Sequence, residues 1–259
     1  MKVIDQYAYR SPLRHFDPVQ KVLFSLLVLI TCLIEHSLLL YITVILLMGW
    51  LTVRKGLTPI KLYIMLMLVP LTFLILSLLT LLFDFSTESN SFLWSIHITH
   101  MYMGISKGSI EICLFMFFKV FASVSCLYFL CLSTPMNDIL RVLEKWHCPT
   151  FLLEIMSLIY RFIFVFIDTA TTMYTAQVAR LGYRNFHLGI RSFGMLLSTL
   201  LIRTLKMNNV LYTSLECRGY NGSFNVLHEG SYKSLPYLYL ILVEALLIGL
   251  GIIEFILGG

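Results

Sequence analysis

The stretch VQKVLFSLLVLITCLIEHSLLLYITVILLMGWLTV, residues 19–53, decides the fold of this chain. It contains two apolar runs, 19–34 and 38–53, which are separated only by Glu35, His36 and Ser37. A helix that crosses a membrane needs about 20 mostly apolar residues. Each run approaches that length, and the short polar break between them predicts a tight helical hairpin within a membrane.

Three further apolar runs follow, at residues 60–83, 110–132 and 235–257. The composition agrees with a membrane protein, since 58% of the residues are hydrophobic and only 13% are charged. An average soluble domain has about 25% charged residues. The sequence therefore predicts an all-α integral membrane protein with five membrane helices. Residues 152–167 are a sixth candidate, but Glu154, Arg161 and Asp168 recur there at a spacing of two helical turns and would share one face.

The basic residues predict how the helices are oriented, because lysine and arginine are enriched in cytoplasmic loops. They precede the first run and lie between the second and third, whereas the breaks at 35–37 and 84–106 have none. Residues 134–234 contain ten: Arg141, Lys145, Arg161, Arg180, Arg184, Arg191, Arg203, Lys206, Arg218 and Lys233. We expect a multi-pass protein of the cell membrane with a cytoplasmic N-terminus. Because the net charge of +5 is confined to these segments, we expect no nucleic-acid partner.

The expected domain organisation follows from this pattern. Residues 1–133 would form the N-terminal membrane helices, 134–234 a cytoplasmic region of helices, and 235–259 the last membrane helix. Thr134 is the predicted N-cap of the first cytoplasmic helix, with Pro135 in its first turn. Cys148-Pro149 would end that helix.

Two similar short motifs end helical patterns within the cytoplasmic region. They are Ala179-Arg180-Leu181-Gly182-Tyr183 and Cys217-Arg218-Gly219-Tyr220. In each, an arginine would lie in the last helical turn and a glycine would adopt the left-handed conformation that commonly ends helices. Such an arginine could bind a partner, or it could simply complement the negative end of the helix dipole.

Several segments resemble the CbiQ family, the transmembrane T components of cobalt energy-coupling factor transporters. The similar segments are Ile4-Asp5-Gln6-Tyr7-Ala8-Tyr9, Asp17-Pro18-Val19-Gln20-Lys21, Thr134-Pro135, Pro149, Arg161-Phe162-Ile163 and residues 176–222. Within the last of these, residues 214–222 (SLECRGYNG) are the most specific. The resemblance extends over most of the chain.

The resemblance implies a subunit that couples two cytoplasmic ATPases to a membrane-embedded, substrate-binding S component. A small accessory membrane subunit is a further candidate partner. By the family's motifs, Arg180 and Arg218 would contact the ATPases, and Ala179, Gly182, Cys217 and Gly219 would shape the helix ends. The sequence departs from the family at Leu181, which separates Arg180 from its glycine and is expected to shift the helix cap by one residue.

The sequence itself also agrees with a transport subunit that receives its energy from a separate protein. It contains no G-x-x-x-x-G-K-[ST] loop that could hold ATP phosphates, so we expect a subunit that is not an enzyme, with no cofactor and no metal site of its own. A T component for nickel or a vitamin remains an alternative, as does a self-contained secondary transporter. A membrane enzyme is a third possibility, although neither paired membrane aspartates nor an H-E-x-x-H motif is present.

Two groups of residues in or near the apolar runs invite other roles. Lys119 and Glu244 are costly in hydrocarbon, and we expect internal pairing that orients helices, although the sequence does not identify an acid that would pair with Lys119. His97, His100, Met101 and Met103 lie in the outer loop and could suggest a metal site. The resemblance assigns substrate binding to the S component instead.

Overall fold

The computed structural model describes residues 2–82, 84–86, 92–98, 101–219, 232 and 236–258. The chain forms two compact units, the first comprising residues 1–139 and 231–259 and the second residues 140–230. The described helices are α1 (Lys2–Arg10), α2 (Pro18–Ile34), α3 (Leu38–Trp50), α4 (Ile60–Leu82), α5 (Lys107–Ser133), α6 (Met136–Lys145), α7 (Thr150–Ala179), α8 (Phe186–Cys217) and α9 (Tyr237–Gly258). A 3-10 turn covers Pro12–His15, and a π-helical turn, Leu51–Lys55, extends α3.

The predicted hairpin of α2 and α3 is confirmed, and each helix begins at a capping residue. Asp17 Oδ1 accepts the Val19 N–H at 3.0 Å, with Pro18 in the first turn. Ser37 Oγ accepts the Leu40 N–H at 3.2 Å. These side chains satisfy backbone donors that the first helical turn leaves without partners.

The core of the first unit lies where α5 packs against α2 and α3. On α2 and α5 its buried residues recur every three or four positions, as expected for one face of a helix. The buried residues of this core are Phe24, Val28 and Cys32 on α2, Leu40, Tyr41, Val44 and Met48 on α3, Ala122, Cys126 and Phe129 on α5, and Leu247 on α9. Polar contacts also join these helices: Ser25 Oγ donates to the Cys126 carbonyl at 2.8 Å.

Among the residues that the structure describes, five helical segments are long and apolar enough to cross a membrane, namely Leu38–Lys55, Ile60–Leu81, Gly108–Ser133, Thr150–Ala179 and Phe186–Cys217. The predicted class, an all-α membrane protein with five such helices, is therefore confirmed. The set differs from the expected one, however. Pro18–Ile34 forms a shorter apolar helix, whereas α7, which contains the sixth candidate, and α8 both reach spanning length.

A small sheet joins α4 to α5 and was not predicted. Its strands are β1 (Asp84–Ser86), β2 (Phe92–Ile98) and β3 (Met101–Ser106), in the order β1-β3-β2 with antiparallel pairing. His97 lies in β2 opposite Tyr102, and Met103 lies opposite Ile96. His100 is outside the described residues. The helical architecture thus carries one β-sheet, confined to the connection between two membrane helices.

Lys119 in α5 and Glu244 in α9, the two charged residues for which internal pairing was expected, both have polar contacts. The Lys119 ammonium donates to the Leu33 carbonyl at 2.9 Å, near the end of α2, and the Thr31 hydroxyl hydrogen-bonds the Glu244 carboxylate, which joins α2 to α9. Among the described residues, this contact of Lys119 is with a backbone carbonyl and not with an acid. This lysine and this glutamate each join α2 to another helix.

Candidate functional site

The two arginine motifs form matching helix ends. Arg180 directly follows α7 and Arg218 directly follows α8, and each is the C-cap residue of its helix. Their backbone angles are nearly the same, with φ −91° and ψ 13° at Arg180 and φ −93° and ψ 7° at Arg218. Two sequence motifs of different length therefore place an arginine at the same position of a helix end.

The residue after each arginine has the left-handed conformation. It is Gly219 in the second motif, with φ 73°, and Leu181 in the first, with φ 57°. The expectation that Leu181 shifts the first cap by one residue is therefore wrong. The left-handed position directly follows the arginine in both motifs, and in the first a leucine occupies it despite the steric cost of about 1–2 kcal/mol.

The φ of Gly182 is not in the left-handed region, so its backbone conformation does not require glycine. Glycine is needed there because a larger side chain would not fit. A Cβ atom placed there would lie 2.8 Å from Ser192 Oγ and 3.0 Å from the Gln177 carbonyl oxygen. That carbonyl accepts the N–H groups of Gly182 at 2.9 Å and Arg180 at 3.2 Å. The glycine thus lets the chain turn tightly around the end of α7.

Three polar side chains fix this turn between α7 and α8. The Gln177 amide donates to the Ser192 carbonyl at 3.1 Å, and the Tyr183 hydroxyl donates to Gln177 Oε1 at 2.9 Å. Ser192 Oγ donates to the Gly182 carbonyl at 2.8 Å. This network holds the turn that follows Arg180. Sequence analysis missed its role, because Gln177 and Ser192 meet only after the chain reverses direction.

We expect Gly182→Ala to destabilise the first helix end. The added methyl group would collide with Ser192 Oγ and crowd the Gln177 carbonyl, both of which form hydrogen bonds that hold the turn, and overpacking of this kind costs about 1–3 kcal/mol. Thermal unfolding in detergent should show a lower midpoint. Gly194→Ala is the matched control, because a Cβ atom there meets no atom within 4 Å and alanine favours a helix. Equal midpoints for the two variants would contradict this account of Gly182.

Both arginine side chains are available to a partner. Arg180 and Arg218 are exposed, and within the part of the chain that the structure describes neither guanidinium has an ion pair or a side-chain hydrogen bond. Each guanidinium projects from the negative end of a helix dipole, which stabilises its charge. Its planar fork suits carboxylates and backbone carbonyls. The adjoining small residues, Ala179 and Cys217, are also exposed, so they leave room for another chain beside each arginine.

The helices that carry these ends are long, and little of either is buried within the chain. At 1.5 Å per residue, α7 with 30 residues and α8 with 32 extend about 45 and 48 Å. Residues of α7 are at most half-buried, and Leu196 is the buried residue of α8. The faces of both helices are therefore open to lipid or to other subunits.

Metal-binding chemistry has little support among the described residues, where no group of three histidine, cysteine, aspartate or glutamate side chains is arranged to hold a metal ion. The six cysteines are all free thiols. The arginine-capped ends of α7 and α8 are therefore the strongest candidate site.

Comparison with known proteins agrees with the resemblance to the CbiQ family. The family model CbiQ, described as cobalt transport protein, matches residues 9–228. An uncharacterized protein of Methanocaldococcus jannaschii is 29% identical over 93% of this chain and 89% of its own length. A putative fused cobalt transport protein CbiMQ of Methanocorpusculum labreanum is 30% identical over 98% of this chain and 43% of its own length.

A third relative is a cobalt transport protein CbiQ of Salmonella typhimurium, 28% identical over 62% of this chain and 71% of its own length. The family match includes both arginine-capped helix ends and most of the membrane helices. This chain therefore belongs to the CbiQ family of cobalt transport proteins.

Proposed function

We propose that this protein is the transmembrane coupling subunit, or T component, of an energy-coupling factor transporter for cobalt uptake. It transmits the movement of two cytoplasmic ATPases to a separate, substrate-binding S component. The observation that best supports this role is the matched pair of helix ends, each with an exposed arginine in the same cap conformation. Two helix ends of the same geometry are suited to bind two similar partner subunits.

The orientation that this role requires follows from the charges. With the N-terminus in the cytoplasm, residues 134–234 and their ten basic side chains lie on the cytoplasmic side, as the distribution of lysine and arginine favours. Helices α7 and α8 are long enough to cross a membrane. Glu154, Arg161 and Asp168, however, form a charged face on α7, which suits an aqueous or protein environment better than lipid.

The coupling itself is mechanical. Each ATPase would receive one arginine-capped helix end in a surface groove, a form of helix-in-groove recognition. When the ATPases close on ATP, the two helices would move as rigid bodies. The S component would then tilt, so that its binding site changes sides of the membrane. The T component performs no chemistry of its own in this scheme.

The substrate assignment depends on the S component. The Methanocorpusculum relative is a putative fusion of CbiM and CbiQ, which supports a close membrane partner for a chain of this kind. Cobalt is the substrate that the names of the relatives indicate. Nickel or a vitamin is the alternative, because a T component need not contact the substrate.

The proposal is tested by reversing both arginine charges. Arg180→Glu together with Arg218→Glu should abolish co-purification of the ATPases, since each glutamate would face the carboxylate or carbonyl groups that had bound a guanidinium. Arg184→Glu together with Arg191→Glu makes the same charge change at two exposed positions near the first helix end and should leave the ATPases bound. If the ATPases stay bound to the first variant, the docking assignment is wrong.

A further inference from the structure

The chain passes between its two units at two places. It leaves the first unit after Ile139 and returns at residue 231. Asp138, in the first turn of α6, lies one residue before the first crossing, and Tyr232 lies one residue after the second. The Tyr232 hydroxyl donates to Asp138 Oδ1 at 3.1 Å. One hydrogen bond thus links residues 94 positions apart in sequence, beside the two points where the chain crosses.

Asp138 is a well-placed anchor for this bond. It is only 4% exposed, and a carboxylate in the first turn of a helix is stabilised by the positive end of the helix dipole. Its backbone N–H donates to the Pro135 carbonyl at 2.9 Å, as α6 begins. The acceptor is therefore held by the backbone of α6, and the bond to Tyr232 holds the returning chain against the start of that helix.

Lys21 joins this anchor to the membrane helices. Its ammonium group is nearly buried, with the residue 7% exposed, and it donates to the carbonyls of Leu13 at 3.0 Å and Ser133 at 3.2 Å. Leu13 lies in the 3-10 turn, and Ser133 is the last residue of α5. The Asp138 carboxylate adds a favourable electrostatic interaction with the ammonium. Lys21 thus fastens α2 and the end of α5 beside the anchor.

We propose that Lys21, Asp138 and Tyr232 form a crossing clasp, which holds the two chain crossings together so that movement of α7 and α8 reaches the membrane helices. The inference rests on the proposed coupling function and adds its positioning residues. Without the clasp the crossings could shift independently, and a rigid-body movement would be absorbed there. The hydrogen bonds of Tyr232 to Asp138 Oδ1 and of Lys21 to two backbone carbonyls restrict the movement of these elements, which suits this role. Asp138 and Tyr232 are proposed as positioning residues.

The test removes one hydroxyl group. Tyr232→Phe is reconstituted in proteoliposomes with the ATPases and the S component, and cobalt uptake and ATP hydrolysis are measured together. The ATPases should still co-purify and hydrolyse ATP, while uptake per ATP falls by about tenfold, the effect of losing one hydrogen bond to a charged acceptor. Tyr128→Phe is the matched control. It also loses one phenol hydrogen bond in the first unit, to the Leu66 carbonyl at 2.9 Å, and should keep normal uptake per ATP.

A double-mutant cycle makes the test specific to the pair. In an Asp138→Ala background, Tyr232→Phe should cause no further loss, because its acceptor is already absent. The clasp is refuted if Tyr232→Phe matches Tyr128→Phe, if its effect persists in the Asp138→Ala background, or if it releases the ATPases. Failure of the proposed function gives a different result, because the unmodified protein would then bind no ATPase. The clasp proposal would in that case be wrong as well.

Discussion

Reversing one helix-end charge, Arg218→Glu or Arg180→Glu alone, is expected to lower ATP-driven cobalt uptake by about 30-fold or more. An arginine at the centre of an interface commonly contributes about 2 kcal/mol or more to binding, and 1.4 kcal/mol corresponds to tenfold in affinity. Each single variant should retain part of its ATPase binding through the other helix end. Uptake should nevertheless fall as far as in the double variant, because both helices must move together.

Uptake of radioactive cobalt into reconstituted vesicles measures this effect, and Arg191→Glu serves as the control for a single charge reversal on the exposed surface of α8. A large loss for one arginine with normal uptake for the other would contradict the two-point model. It would mean that the second helix end has another role, although its cap has the same backbone geometry.

Lys21→Met is expected to cause the largest loss of stability. It would leave the Leu13 and Ser133 carbonyls without their buried donor and remove the cation beside Asp138. Leaving one buried acceptor without its hydrogen bond costs about 1–3 kcal/mol, so two such carbonyls account for about 2–6 kcal/mol. For a chain of this size each kcal/mol shifts the melting temperature by about 2–4 °C. We therefore expect the melting temperature to fall by about 10 °C.

The control for this change is Lys61→Met. Lys61 is also in the first turn of a membrane helix, α4, but it is exposed. Melting in detergent, followed by size-exclusion chromatography, compares the two proteins. If both variants melt at the temperature of the unmodified protein, the buried contacts of Lys21 contribute nothing to stability.

Local patterns predicted most of the helices correctly. The hairpin at Glu35-His36-Ser37 and the start of α2 at Asp17-Pro18 follow from residues adjacent in sequence, because capping and apolar run length are local properties. The first helix after the fourth apolar run, α6, was predicted to begin one residue too early. It begins at Met136, after Pro135, and the Thr134 hydroxyl contacts Ser133 Oγ at 3.3 Å.

Features that depend on distant contacts were predicted poorly. The contact between Lys119 and the Leu33 carbonyl joins residues 86 positions apart, and nothing near Lys119 in sequence reveals it. The left-handed Leu181 contradicts its local preference, and contacts among Gln177, Ser192 and Gly182 hold the turn that contains it. In the sequence, Lys21 stood out only as part of the family-like segment at residues 17–21, although a lysine four residues after the Asp17 cap and inside an apolar helix could have indicated a buried partner.

The sheet between α4 and α5 was missed for a different reason. Trp94, Ile96 and Ile98 alternate with other residues in β2, which is typical of a strand. The surrounding segment separates two strong membrane helices, however, and was considered only as an outer loop. The two-residue period of residues 94–98 by itself indicates a strand.

Photocrosslinking from the two helix ends tests the central claim most directly. A benzophenone amino acid replaces Leu181 in one protein and Cys217 in another, since both residues are exposed next to an arginine and leave that arginine intact. Irradiation of the assembled transporter should give a covalent adduct with an ATPase subunit from each position. Assembled complexes that contain the ATPases but give no such adduct from either position would contradict the account.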